Sequence, residues 1–83
     1  VDCSHGNSER DHTRQELVLR SILASRRQGV PGIQGFMLES NLREGKQALG
    51  VDPSGLAYGV SITDACIGWE KTKELLELAY EQF

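Results

Sequence analysis

Apolar positions along this chain fall into four clusters separated by polar, turn-rich segments, and the clusters alternate in kind. Val1-Asp2-Cys3 reads as the end of a short buried strand. From Ser8 to Gln28 the spacing is helical. Leu17, Leu19, Ile22, Leu23 and Ala24 gather within two turns, Val18 widens the stripe, and Arg14, Glu16, Arg20 and Arg26 fall toward solvent. Ser8 is the expected N-cap, with Glu9 and Asp11 where the helix dipole favours acids and Arg26-Arg27 in the last turn. Gly29 and Pro31-Gly32 stop the helix. Ile33 to Leu38 is an apolar run of strand length ending at Glu39, with Gly35 marking a close backbone contact. A final helix is predicted from Trp69 to Gln82, its buried side formed by Leu75, Leu76, Leu78 and Ala79 together with Phe83.

The order is strand, helix, strand, long loop, helix: two βα units of an α/β fold, with the strands parallel across a right-handed crossover. The loop, Asn41 to Thr63, is rich in Gly, Ser, Asp and Pro, and a loop of that length points to function. Two parallel strands leave both sheet edges unpaired and one face bare. Residues 1–83 are therefore expected to be a fragment of a single larger domain and not an independent one. Val1 in place of a start methionine, with the chain opening inside a strand, points the same way.

Composition narrows the function. Apolar residues make up 39% of 83, and two Phe, two Tyr and one Trp give little aromatic mass for a core. The net charge is -3, and Lys and Arg are interspersed with acids, which argues against nucleic-acid binding. No apolar run approaches the roughly 20 residues that span a bilayer. Cys3 and Cys66 belong to no Cys-x-x-Cys pair and read as free, partly buried thiols in a reducing cytoplasm.

Three polar segments carry the candidate chemistry: Asp2–Ser8, Glu39–Gly45 and Ser61–Trp69. Each offers one metal ligand, His5, Glu39 and Asp64. One imidazole nitrogen and two carboxylate oxygens suit a catalytic divalent ion better than a closed structural zinc site. Singly, each has a commoner explanation: His5 as a surface residue, Glu39 as a strand-end carboxylate reaching solvent, Asp64 as a turn or cap residue. Jointly, their placement at two strand ends and in the following loop is how an α/β barrel assembles a site. His12 is expected to be solvated within the first helix. Arg43 and Lys46 border the Glu39 segment and can touch an anionic substrate or simply be solvated. Asn7, Ser8 and Ser61 are possible hydrogen-bond donors near the site. Trp69 reads as core or staple, and Cys66 as a small buried residue ahead of a ligand or reactive thiol. No Gly-rich phosphate motif, nucleophile elbow or zinc-finger spacing is present.

At these residues the chain resembles the C-terminal quarter of the class I 3-deoxy-D-arabino-heptulosonate 7-phosphate synthases (phospho-2-dehydro-3-deoxyheptonate aldolases). The likeness lies in the Asp2–Ser8 and Glu39–Gly45 segments, the 34-residue step from His5 to Glu39, and the run Tyr58-Gly59-Val60-Ser61-Ile62-Thr63-Asp64-Ala65-Cys66-Ile67-Gly68-Trp69. The resemblance implies a (β/α)8 TIM barrel, of which this chain would supply strands seven and eight with their helices. It also implies condensation of phosphoenolpyruvate with erythrose 4-phosphate, releasing phosphate, at the start of the shikimate pathway. A divalent ion (Mn, Fe, Co or Zn) would be held by His5, Glu39 and Asp64 together with a cysteine from an absent upstream segment, which Cys3 and Cys66 do not replace. His5 and Asp64 would also serve catalysis. The parent is expected to be a cytoplasmic homo-oligomer, the fragment alone to be inactive, and its partners to be the rest of the barrel or other copies. The alternative is a non-catalytic metal-binding or assembly module that pairs through its bare sheet.

Overall fold

Two α-helices, α1 (Gln15–Arg27) and α2 (Trp69–Gln82), frame the computed structural model, which describes residues 1–83. They pack through Leu19, Ile22 and Leu23 of α1 and Leu75 and Ala79 of α2. Cys3 and Ile67 complete the buried centre, and Val18, Ile33, Phe36, Leu38 and Leu78 line its margin. An ion-pair cluster ties the helices outside this core: Glu16 accepts from Lys71 Nζ at 3.1 Å and from Arg20 Nε at 2.9 Å.

The expected sheet does not form. The chain has two α-helices, three short 3-10 turns and no β-strand, so two βα units of a barrel are not its architecture. The bare sheet proposed as a pairing surface is absent with them. In place of strands there are four isolated bridges: Asp2 with Met37, Ser40 with Ile67 and Lys46 with Ser61, all parallel, and Gly45 with Cys66, antiparallel.

The reason is visible at the first bridge. Val1 N donates to Gly35 O, Met37 N to Val1 O and Cys3 N to Met37 O, at 2.8, 2.9 and 2.9 Å. In that parallel register the next rung would join Glu39 N to Cys3 O. Glu39 N donates to the side chain of Gln15 instead, at 2.8 Å, and the chain turns away at His5, whose φ is 52°. A side chain has taken the place of the strand.

The first helix is also shorter than Ser8 to Gln28. Glu9 and Arg10 both adopt left-handed backbone, φ 56° and 60°, which interrupts a right-handed helix. The chain instead makes 3-10 turns at His5–Ser8 and His12–Arg14 before α1 starts. Ser8 is not the cap. Asp11 is, before the second turn, accepting from Thr13 N at 3.0 Å. Leu17 and Leu76, expected on buried faces, are exposed, as is Trp69. Phe83 is partly exposed and lies under Arg26, whose guanidinium sits 4.2 Å from the ring centroid.

The segment from Asn41 to Thr63 is folded back on itself. Gln47 holds it from inside, donating to Ala57 O and Val60 O and accepting from Ala57 N. Gly59 closes the fold, with φ 80° and the position of a Cβ lying 2.9 Å from Leu42 Cβ, so only glycine fits there.

Candidate metal centre

His5, Glu39 and Asp64 arrive from three separate segments. The left-handed backbone at His5, a conformation histidine tolerates better than most residues, swings its ring across the end of the Ile33–Leu38 segment. Glu39 closes that segment. Asp64 sits in the turn between the bridged residues Ser61 and Cys66. One ligand atom from each lies within 4.8 Å of the others. His5 Nε2 is 3.6 Å from Glu39 Oε1 and 3.4 Å from Asp64 Oδ2.

The opposite edge of the imidazole is held by Asp2. Asp2 Oδ2 lies 2.8 Å from Nδ1, while Asp2 Oδ1 accepts from Ser4 N and Ser4 Oγ at 2.8 and 2.6 Å. The Ser4 hydroxyl, then His5, hold the Asp2 carboxyl down to about 2, so it is ionised and an acceptor. In the neutral imidazole Nδ1 therefore carries the proton, which leaves the Nε2 lone pair on the side of the two carboxylates for an ion. The Asp2 hydrogen bond first, and the charge of Glu39 next, raise the His5 pKa.

The residues present fit a divalent ion. No Lys or Arg pairs with Glu39 or Asp64, and their one charge partner within 4.0 Å is His5. Two carboxylates this close repel each other unless a cation lies between them. The donors border a cavity of about 200 Å³ whose rim also includes Ser8, Arg10, His12 and Lys46.

The remaining sequence candidates divide. Ser8 and Lys46 reach the cavity, whereas Arg43, Asn7 and Ser61 do not line it. His12 lies outside α1 and is half-buried, with Nε2 3.8 Å from Glu44 Oε1, so it is not the solvated helix residue the pattern predicts. Cys3 and Cys66 are free and buried, and burial pushes both thiols up. Two residues went unrecognised in the sequence. Asp2 carries a signal in its position three residues before His5. Gln15 carries one as a polar residue in register with the buried Leu19, Ile22 and Leu23.

One imidazole and two carboxylates, with a third carboxylate behind the ring, form a donor set that could hold a divalent ion. Comparison with known proteins gives the family. The sequence model of the DAHP synthetase I family matches residues 1–77, and the chain belongs to that family. It is 51% identical over 76 residues to the Tyr-sensitive phospho-2-dehydro-3-deoxyheptonate aldolase of Escherichia coli K12, covering 92% of this chain and 21% of that one. The phenylalanine-inhibited aldolase of Saccharomyces cerevisiae is 46% identical over 83 residues, covering 98% and 22%. The structure of the Francisella tularensis SCHU S4 aldolase superposes with a TM-score of 0.86 at 43% identity, over 98% of this chain and 23% of that one. The chain thus spans about a fifth of the length of these relatives.

Proposed function

We propose that this chain is the C-terminal quarter of a class I synthase that condenses phosphoenolpyruvate with erythrose 4-phosphate, and that it supplies most of the enzyme's divalent-metal site. The observation that carries the reading is the convergence of His5, Glu39 and Asp64 within 4.8 Å in a member of this family. Mn, Fe, Co or Zn suits this donor set, with one further ligand coming from outside these residues. Bound there, such an ion supplies Lewis acidity to polarise a substrate carbonyl.

The chain's own residues supply the frame. His5 Nε2, oriented by Asp2, and the Glu39 and Asp64 carboxylates offer fixed donors at the cavity wall. The substrate-binding groups belong to the rest of the polypeptide, so the isolated chain is inactive. The parent works in the cytoplasm as a homo-oligomer.

The test uses the polypeptide extended to the length of its relatives. His5→Ala, Glu39→Ala and Asp64→Ala should each lose bound metal and phosphate release from the two substrates. Full metal occupancy in all three variants would overturn the metal assignment.

A further inference from the structure

Gln15 is the first residue of α1, is fully buried at 0% exposure, and spends both ends of its carboxamide on one residue. Its Oε1 accepts from Glu39 N at 2.8 Å and its Nε2 donates to Glu39 O at 3.1 Å. Ile67 N takes the second lone pair of that carbonyl at 3.0 Å. A carboxamide presents the same donor and acceptor as a peptide group, so Gln15 pairs with Glu39 as a one-residue strand would.

Position 15 falls on the buried stripe of α1 with Leu19, Ile22 and Leu23, where an apolar side chain would fit the core but leave the Glu39 N–H without its acceptor. The polar side chain makes sense through what it holds. The Glu39 carboxylate has no hydrogen bond to the protein, and its nearest charged partner is His5 Nε2 at 3.6 Å. Its direction is therefore set from the backbone, and no other side chain bonds that backbone.

We propose that Gln15 is a positioning residue for Glu39: its two hydrogen bonds fix the Glu39 peptide, and so the line along which the carboxylate enters the metal site. The inference rests on the metal reading above. It places the anchor on a helix, the most rigid element available, and not on the loops that carry the ligands.

The experiment is a Co²⁺ titration of the full-length polypeptide, followed by calorimetry and by the visible absorption of the bound ion, with amide exchange at Glu39 as a metal-free readout. Gln15→Met keeps the volume and removes both hydrogen bonds. It should weaken Co²⁺ binding roughly 10–100-fold, the range for loss of an outer partner of a ligand, alter the visible band and speed Glu39 amide exchange. Gln15→Asn keeps the carboxamide but is one methylene too short to make both hydrogen bonds, and should fall between it and the parent. It carries the test if Gln15→Met does not fold. Leu23→Val, a core change away from the cavity, should lower the melting temperature and leave Co²⁺ affinity unchanged. Parent-like affinity and spectrum in a folded Gln15 variant overturn the positioning role alone. A parent that binds no Co²⁺ overturns the metal reading and this inference with it.

Discussion

Asp2 Oδ2 sits 2.8 Å from His5 Nδ1, on the edge of the ring opposite Glu39 and Asp64. That contact fixes both the rotation of the imidazole and the nitrogen left free to bind. Asp2→Ala is expected to keep the fold, because Asp2 is outside the core, and to weaken divalent-metal binding roughly 10–100-fold. Calorimetric titration of the full-length variant measures it, and unchanged affinity would show that Ser4 and the backbone suffice to orient the ring.

The helix pair has its own pH signature. Lys71 first, then Arg20, hold the Glu16 carboxyl below its ordinary 4.5, and Glu16 in turn raises Lys71 above 10.5. For the depressed carboxylate, the stabilisation is present above its unfolded value and lost as pH falls through the folded one. For Lys71 it is present below its unfolded value and lost as pH rises through the raised one. Melting temperature should therefore drop as pH falls below the ordinary glutamate value of 4.5, and Glu16→Gln should flatten that part of the profile. Both groups are partly solvated, so the effect is small and is reduced by added salt.

Gly59→Ala should destabilise by roughly 1–3 kcal/mol, since the new Cβ meets both a left-handed backbone and Leu42. Thermal melts of the full-length polypeptide give the number. An alanine tolerated without loss would mean that the Asn41 to Thr63 excursion can relax there.

Taken alone, the 83-residue chain should associate. Its radius of gyration is 14.6 Å where about 12 Å is usual for this length, and it extends 50 × 23 × 17 Å. Leu17, Leu42, Leu49, Val51, Tyr58, Trp69, Leu76 and Tyr80 are exposed, which leaves much apolar surface for other copies or the rest of the polypeptide to cover. Sedimentation equilibrium across a range of concentrations decides it. A compact monomer with a concentration-independent melt would sink the idea.

The residues of the candidate site were legible in the sequence. His5, Glu39 and Asp64 stand in polar segments that interrupt apolar runs, and their ligand chemistry is a property of the residue types. The last helix was equally plain, because Trp69 to Gln82 is an uninterrupted helix-forming run with no Gly or Pro. Its buried face was only half right. Leu75 and Ala79 share one side, while Leu76 points out, and which leucine is covered depends on where α1 lies.

What the sequence by itself determined is the local character of each segment: helix-forming runs, turn residues, and candidate ligands in the polar segments beside apolar stretches. The tertiary structure decided whether extended segments become strands. Ile33 to Leu38 has strand composition, yet a ladder needs a continuous row of partner peptides, and at Glu39 that partner is the Gln15 carboxamide. The left-handed backbone at Glu9 and Arg10 likewise belongs to the assembled turn and not to any residue preference. Pattern reports what a segment can do alone, and hydrogen-bond partners 24 residues away report what it does here.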